Sequence, residues 1–261
     1  MPTQLENEKS NFLNSLANGL AVLTTFDAQS PSLTISEVAS RTNLTRASAR
    51  RILLTLADLG FVSQRGSSYS LTPRALSIGH SYLNASGIED AVAHHVAALS
   101  RELQESVSVA VLDGDEIVYV ARSAAKKIMQ VRISIGTRFA AASTSMGRVM
   151  LAAKSDAEIE SILSNRPLER LTQNTLTDKA EVLAEIQRVR GQGYAVVNQE
   201  LEVGLKSIAV PIRNANGVVI AALNVAGVAT ENSQRVDLRI LEALKGCALK
   251  ITTELGMRPG L

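Results

Sequence analysis

Arginines and small polar residues between positions 45 and 65 have the side-chain types that read double-stranded DNA. The candidates are Thr45, Arg46, Ala47, Ser48, Arg50, Arg51 and Arg65. An arginine guanidinium donates two hydrogen bonds to guanine O6 and N7, and small residues let a helix approach the bases closely. Hydroxyls and free amides at a helix start suit phosphate oxygens. The set therefore predicts a major-groove surface, with Arg65 reaching the neighbouring backbone or minor groove.

Two helices joined by a turn are predicted to position these arginines. Apolar residues recur at helical spacing along residues 46–58 and define the inward face of a helix that Thr45 caps. A shorter helix over residues 35–41 starts at a capping box, in which Thr34 and Glu37 bond each other's backbone amides. The turn between the two helices is tight, as in a helix-turn-helix.

A first helix and a hairpin complete the expected domain. Apolar residues along 10–27 follow helical spacing, and residues 61–71 contain two strand patterns around a Gly-Ser-Ser tip. Three helices followed by a hairpin indicate a winged helix-turn-helix domain, mainly α, over residues 1–72. Residues 73–87 are predicted to form a linker helix. The apolar faces of the first helix and of the linker helix are candidate dimer contacts.

Charge supports the DNA interpretation locally. Residues 34–74 contain six arginines, no lysine and two acidic residues, a net charge of +4 in a chain whose total is +2. Exposed arginines also occur on ordinary solvated helix faces, and a helix-turn-helix can mediate protein contact instead. The arginines gain their significance from the capped helix, the tight turn and the wing that accompany them.

Residues 88–261 form a second predicted domain of a different class. Strand patterns occur at 106–112, 116–122, 129–135, 194–198, 207–212 and 218–226. Helical patterns occur at 88–103, 144–153, 156–164, 178–192 and 234–255. Hairpin turn signals join neighbouring strands, so the class is α+β with an antiparallel sheet.

Several function classes find little support in the composition. Cys247 is the only cysteine, so no internal disulfide can form, and the first ten residues lack a secretory pattern. No stretch is long and apolar enough for a membrane span, so we expect a cytoplasmic protein. His94 and His95 are adjacent, pointing to different faces of a helix, without metal-ligand spacing. No nucleotide-binding or nucleophile motif occurs, and we expect no cofactor, no metal and no catalytic site.

Ordered motifs along nearly the whole chain resemble one family, the isocitrate-lyase-regulator (IclR) family of bacterial transcription factors. In the first half they are Thr34-Ile-Ser-Glu-Val-Ala-Ser, Thr45-Arg-Ala-Ser and Gly60-Phe-Val. In the second half they are Ile135-Gly-Thr-Arg, Ala142-Ser-Thr-Ser-Met-Gly-Arg-Val-Met-Leu-Ala, Gly191-Gln-Gly-Tyr-Ala-Val, Gly204-Leu-Lys-Ser-Ile-Ala-Val-Pro-Ile and Ala222-Leu-Asn-Val-Ala-Gly. The run Thr144-Ser-Met-Gly-Arg148 resembles the corresponding sequence in one subgroup of the family. That subgroup controls protocatechuate, 4-hydroxybenzoate and β-ketoadipate catabolism.

The resemblance implies a GAF-like effector domain whose pocket lies between the sheet and a covering loop and helix. Carried over by motif, the wall of that pocket contains Ser145, Met146, Ser207, Asn224 and Ala226. Ser207 and Asn224 are polar residues within apolar strand patterns, where an unpaired polar group would be costly. A ligand would pair them, or they would bond the backbone or one another.

Two further residues are considered for the effector site. Where relatives carry an acidic residue after the tyrosine-containing strand, this chain has Val197 and Asn198, which argues against a simple glyoxylate- or pyruvate-type site. Arg138 is a candidate counter-ion for an aromatic or dicarboxylic acid, and a solvated or structural arginine is the alternative.

The sequence thus predicts a regulator that binds a near-palindromic operator and responds to a small organic acid of aromatic catabolism. We expect a homodimer, because a single helix reads only a few base pairs and two-fold symmetry doubles the contact. The resemblance implies that the effector half can join dimers into a tetramer. Three alternatives stay open: a family member that senses a different small carboxylate, a small-molecule sensor whose helix-turn-helix contacts protein, and an enzyme acting on a small carboxylate.

Overall fold

The computed structural model describes residues 12–27, 29–86, 88–125, 133–229 and 238–256. The chain separates into two compact units, Met1–Tyr82 and Leu83–Leu261. The boundary falls inside the segment predicted as a linker helix, which begins with a 3₁₀ turn at Pro73–Ala75. None of the helices described is long and apolar enough to cross a lipid bilayer.

The first unit is built from helices and a small sheet. Its elements are α1 (Asn14–Leu23), β1 (Leu33–Thr34), α2 (Ile35–Thr42), α3 (Arg46–Asp58), β2 (Val62–Arg65), β3 (Ser68–Leu71) and α4 (Leu76–Ser86). The predicted order of helix, helix, helix and hairpin is confirmed. The two-residue strand β1 was not predicted; it pairs with β3, so the wing is a three-stranded sheet in the order β1-β3-β2.

Capping residues explain where the two helices of the helix-turn-helix begin. The Glu37 carboxylate accepts hydrogen bonds from the Thr34 amide at 2.7 Å and the Thr34 hydroxyl at 2.8 Å, which confirms the capping box. Thr45 Oγ1 accepts from the Ser48 amide at 3.1 Å and caps α3. Between the helices, Asn43 has a left-handed φ of 55°, a conformation that asparagine tolerates well. This short turn fixes α3 against α2.

The second unit contains a six-stranded antiparallel sheet and five helices within the part of the chain that the structure describes. Its elements are α5 (Ile88–Leu103), β4 (Ser106–Asp113), β5 (Glu116–Ser123), β6 (Arg138–Ala140), α6 (Ser145–Leu151), α7 (Asp156–Ser164), α8 (Lys179–Gln192), β7 (Ala195–Asn198), β8 (Leu205–Arg213), β9 (Val219–Val228) and α9 (Leu238–Gly256). The strand order is β6-β5-β4-β9-β8-β7. The α+β class is confirmed.

Each face of this sheet packs against its own layer of helices. One face buries alternate strand residues against α5 and α9, and the other buries the intervening residues against α6, α7 and α8. Along β9, for example, Leu223 and Val225 lie in the first layer whereas Ala222 lies in the second. Because side chains alternate along a strand, Asn224 and Ala226 share the second face with Ala222.

The structure differs from the predicted strand at 129–135. Residues 129–132 lie outside the described part of the chain, and residues 133–135 are not a strand. The edge strand is β6 instead, which pairs with β5 through Phe139 opposite Ile117. The alternating apolar pattern therefore predicted residues 133–135 as a strand wrongly, whereas residues 129–132 stay a prediction.

Candidate nucleic-acid surface and effector cavity

The exposed face of α3 carries the arginines that the sequence predicted. Arg46, Ala47 and Arg50 are exposed, whereas Ala49 and Leu53 on the opposite side are fully buried in the core of the unit. The Arg46 guanidinium donates a hydrogen bond to the Ser36 hydroxyl of α2. This bond orients one end of the surface and leaves other guanidinium donors for a ligand.

The remaining candidates spread to either side of that face. Arg65 ends β2 at the wing tip, where a two-residue turn begins with Gly66 at φ +60°. Arg51 and Ser48 lie toward α1, along an apolar groove with Leu16, Leu20, Ile52 and Ile78. The structure therefore brings Arg46, Ala47 and Arg50 together and places Ser48 and Arg51 nearer the groove.

Charge on this surface is not compensated by carboxylates. Within the described part of the first unit, Arg46, Arg50, Arg51 and Arg65 form no ion pair, whereas Arg41 lies 3.7 Å from Asp27. Arginines held without a carboxylate partner keep their Coulomb attraction for a polyanion. This arrangement suits phosphate and guanine contacts.

The second unit encloses a small cavity between the sheet and α6. It is lined by Tyr119, Ile133, Ser143, Thr144, Ser145, Met146, Val197, Leu201, Leu205, Ser207, Asn224 and Ala226. Its volume is about 20 Å³, measured for the centre of a water-sized sphere. That is room for roughly one water molecule, so a larger ligand requires the wall or its cover to move.

Five of the seven predicted effector residues meet at this cavity. Ser145, Met146, Ser207, Asn224 and Ala226 all line it, although they come from α6, β8 and β9. The Ser145 and Ser207 hydroxyls lie 2.9 Å apart, and either can be the donor. The two hydroxyls therefore satisfy one another here, which was the alternative to a ligand contact at Ser207.

Asn224 presents a polar atom to the cavity without a partner. It is 5% exposed, and its side-chain oxygen forms no hydrogen bond with any described residue. A buried amide oxygen without a donor costs about 1–3 kcal/mol, and a ligand hydroxyl or ordered water offsets that cost. Asn224 is therefore the wall residue at which a hydrogen bond from a ligand would contribute most to the binding free energy.

Arg138 and Asn198 lie outside this cavity. The Arg138 guanidinium donates to Glu116 at 2.6 Å and to Asp113 at 2.7 Å, at the far edge of the sheet. These bonds raise the pKa of Arg138 and lower that of Glu116. The Asn198 side chain points away from its cavity-lining neighbour Val197, because successive strand residues face opposite sides of the sheet. The structure therefore gives Arg138 carboxylate partners within its own chain.

A buried ion pair holds two walls of the cavity. Arg148 on α6 is 1% exposed, and its terminal nitrogens donate to the two Glu200 carboxylate oxygens at 2.7 and 2.6 Å. Its Nε donates to the Ala142 carbonyl at 2.8 Å. Arg148 thus ties the turn before α6 to the segment after β7, and the adjoining residues Ser143 and Leu201 line the cavity.

Gly147 allows α6 to lie against the preceding turn. A Cβ atom at this position would lie 2.1 Å from the Ala141 carbonyl oxygen, a distance that no side chain can adopt. The Thr144 hydroxyl accepts from the Gly147 amide at 3.1 Å and caps the helix. The Thr-Ser-Met-Gly-Arg run therefore combines a helix cap, three cavity-lining residues, a close backbone approach and a buried ion pair.

Sequence reasoning did not identify Ser108 and Arg122, which lie on the same face of the sheet. Arg122 NH1 donates to the buried Ser108 hydroxyl at 3.0 Å. A signal was present: between Glu116 and Asp156 the sequence has seven lysines or arginines and no acidic residue. A second signal was the pair of serines at the first and third positions of the otherwise apolar run Ser106-Val-Ser-Val-Ala-Val.

Two groups on the opposite layer were considered for chemistry. His95 Nε2 and His94 Nε2 lie 3.1 and 3.7 Å from the same Glu254 carboxylate oxygen, a cluster whose ligand atoms could hold a metal ion. The expectation that the two imidazoles point to different faces is therefore wrong, because both lie close to the carboxylate of Glu254 on α9. Burial raises the pKa of the Cys247 thiol to about 11, so the thiolate nucleophile is scarce at neutral pH.

Family models match both units of the chain. The C-terminal domain of the bacterial transcriptional regulator IclR matches residues 80–253, and the IclR helix-turn-helix domain matches residues 15–66. Together they span the DNA-binding and cavity-bearing units described above.

Named relatives and solved structures agree with these matches. The chain is 44% identical over 217 residues to the Pca regulon regulatory protein of Pseudomonas putida, covering 83% of this chain and 75% of the relative. It is 36% identical to the p-hydroxybenzoate hydroxylase transcriptional activator of Acinetobacter baylyi, covering 84% and 83%. An IclR homologue from Microbacterium hydrocarbonoxydans, complexed with 4-hydroxybenzoate, superposes with a TM-score of 0.83 at 25% identity, covering 94% and 100%.

The family models extend over more than half of the chain, and the relatives exceed 30% identity over more than four fifths of it. A winged helix-turn-helix with uncompensated arginines and a polar cavity in a second unit fit that assignment. The chain belongs to the IclR family of bacterial transcriptional regulators.

Proposed function

We propose that this protein binds an operator through α3 and the wing and responds to an aromatic carboxylic acid in the cavity. The observation that carries the proposal is the polar cavity itself, where Ser145, Ser207 and Asn224 converge from three elements of the second unit. The 4-hydroxybenzoate complex of the Microbacterium homologue and the names of the two relatives support an aromatic acid of the protocatechuate or 4-hydroxybenzoate class.

For DNA we propose two roles. Arg46, Ala47 and Arg50 face the bases, because they share the exposed side of α3. The proposed backbone contacts are Thr45 and Ser48 at the helix start, Arg51 and the wing residue Arg65. Binding to DNA places the protein in the cytoplasm of the bacterial cell.

We propose that the protein acts as a dimer on a near-palindromic operator. Leu16, Leu20, Leu76, Ile78 and Tyr82 on α1 and α4 are each more than half exposed. Burying such side chains in a second copy would stabilise the dimer by roughly 25 cal/mol for each Å² removed from water. Two recognition helices related by two-fold symmetry would then read two half-sites. A tetramer would need a further contact through the effector half.

The size of the cavity suggests how ligand and DNA are coupled. An aromatic acid does not fit a space of about 20 Å³, so its binding favours a population with the wall displaced. If that population holds the two recognition helices at a different spacing, operator affinity changes with it. The direction of regulation depends on which population fits the operator.

The test is thermal unfolding in the presence of protocatechuate, 4-hydroxybenzoate, β-ketoadipate, pyruvate and glyoxylate. A ligand present at ~100 times its Kd stabilises the folded state by about 2.7 kcal/mol, which gives a clear rise in Tm. The expected result is a rise with one of the aromatic acids, together with altered affinity for an operator selected from random-sequence DNA.

Other outcomes would contradict the proposal in distinct ways. A rise with pyruvate or glyoxylate alone would assign a different small carboxylate. Failure to select any DNA sequence would leave a sensor whose helix-turn-helix contacts protein. Turnover of a bound acid would indicate an enzyme.

A further inference from the structure

Arg122 lies on the cavity face of the sheet, two strands away from the strand that carries Asn224. On β5 it pairs in register with Ser108 of β4, and Ser108 pairs with Asn224 of β9. The three residues therefore form one row across the sheet. The hydrogen bond from Arg122 to Ser108 holds the guanidinium above β4, about one strand spacing of 4.8 Å from the row position of Asn224.

Arg122 has no carboxylate partner among the residues that the structure describes. It is half-buried, and its one hydrogen bond goes to a neutral hydroxyl. Buried charges in proteins are ordinarily paired, because an unpaired ion loses its hydration without compensation. Among the described arginines of this unit only Arg122 and Arg148 are not exposed, and Arg148 has a carboxylate partner in Glu200. An anion bound beside the Arg122 guanidinium would therefore compensate its positive charge.

The electrostatics near Arg122 agree with its geometry. Burial lowers the pKa of Arg122, and the neighbouring Tyr119 acts in the opposite direction. Burial also raises the pKa of Tyr119 to about 12, so its hydroxyl stays protonated at neutral pH. Tyr119 lines the cavity, and no hydrogen bond of its hydroxyl to another described residue occurs. Tyr119 thus offers a hydroxyl donor within the cavity wall. Arg122 is not one of the lining residues, but it lies on the same face of the sheet, in the row that contains Asn224.

We propose that Arg122 binds the carboxylate of the effector, with Tyr119 beside it, and that the effector's hydroxyl end points toward Ser145 and Ser207. The assignment rests on the proposed function, because it concerns the same cavity. It names Arg122 in place of Arg138, whose guanidinium is already held by Asp113 and Glu116.

The spacing selects a class of acid. Ser108, which holds the guanidinium, and Ser207 lie on strands two spacings apart, about 10 Å. A benzoate with a para-hydroxyl group is rigid and extends a carboxylate and a hydroxyl toward the two ends. A two-carbon or three-carbon keto acid is too short to contact both. The hydroxyl would contact Ser207 and Ser145 at the far end. Asn224, whose side-chain oxygen lacks a donor, lies on the strand between Ser108 and Ser207 and would contact the acid along its length.

The test is calorimetric titration of three full-length proteins with 4-hydroxybenzoate and with its neutral analogue 4-hydroxybenzamide. The proteins are wild type, Arg122→Gln and Arg138→Gln, the last being a matched control that also loses one guanidinium. Wild type is expected to prefer the acid over the amide by about tenfold or more, as for a hydrogen bond to a charged group. Arg122→Gln is expected to lose that preference, whereas Arg138→Gln keeps it.

Retention of the acid preference in Arg122→Gln would overturn the assignment while leaving aromatic-acid sensing intact. Absence of binding of every carboxylate to wild type would overturn both proposals. If an aliphatic dicarboxylate binds in place of the aromatic acids, the aromatic proposal falls, and loss of that binding in Arg122→Gln still supports Arg122.

A second variant covers the case in which Arg122→Gln does not fold, judged by its Tm without ligand. Arg122→Lys keeps the charge but not the planar fork that binds a carboxylate through two bonds. For Arg122→Lys, the ratio of the affinity for the acid to the affinity for the amide is expected to be lower than in wild type but still greater than one. A preference equal to that of wild type would contradict a bidentate contact at Arg122.

Discussion

The arginines of the two units differ in what surrounds them. In the first unit Arg46, Arg50, Arg51 and Arg65 are exposed and form no ion pair with a described residue. In the second unit carboxylates pair with five arginines, namely Arg138, Arg148, Arg166, Arg188 and Arg190. A paired arginine contributes to its own fold, whereas an unpaired one retains its charge for a ligand. The presence of arginines therefore does not distinguish a binding surface from a structural support. What distinguishes them is whether each arginine has a carboxylate partner.

The largest expected effect comes from the most deeply buried pair. Arg148→Met leaves the Glu200 carboxylate buried without its cation, which costs about 3–5 kcal/mol of stability. Scanning calorimetry should show the transition of the second unit at a markedly lower temperature. Arg138→Met removes an exposed pair and should cost about 1 kcal/mol or less. Equal losses for the two variants would break the distinction between buried and exposed pairs.

A smaller effect, with opposite signs for stability and binding, is expected at Asn224. Asn224→Leu removes a buried amide oxygen that lacks a donor, so stability without ligand should stay level or rise by about 1 kcal/mol. The same change removes the proposed contact of Asn224 to the effector, so affinity for 4-hydroxybenzoate should fall. Thermal unfolding with and without the acid measures both. A large loss of stability without ligand would mean that Asn224 supports the fold.

The smallest effect concerns pH and the capping box of the first unit. Hydrogen bonds from the Thr34 amide and hydroxyl lower the pKa of Glu37 below its ordinary value of 4.5. The carboxylate therefore contributes stability that is present above pH 4.5 and is lost as the pH falls through the lowered pKa. Glu37→Gln should flatten this part of the stability profile of the first unit. An unchanged profile would show that the bonds at Glu37 do not affect folding.

Much of the fold could be predicted because local signals agreed with the tertiary structure. The capping residues Thr34 and Thr45 and the hairpin turns depend on residues close together in the sequence, so the sequence alone predicts them. The strands β1 and β6 were missed because two and three residues are too few to show periodicity, and each strand is defined by its pairing with a strand distant in sequence.

The candidate site was less predictable, since its parts are joined only by folding. Ser145 and Ser207 were identified through motifs, but their hydroxyl contact joins residues that lie 62 positions apart. Arg138 was considered as a counter-ion because a sequence does not show that Asp113 and Glu116 lie beside it. Arg122 was overlooked for the converse reason, because only the folded structure shows that none of the described carboxylates pairs with it.

The central claim is that the uncompensated arginines of the first unit bind DNA, and the salt dependence of DNA binding tests it most directly. Fluorescence anisotropy on a selected operator, between roughly 50 and 200 mM salt, should show affinity falling steeply as counterions are released. Arg50→Ala should weaken specific binding by about 1–3 kcal/mol if it contacts a base, whereas Arg138→Ala should have no effect. Affinity that is insensitive to salt, or equal losses in the two variants, would contradict the account.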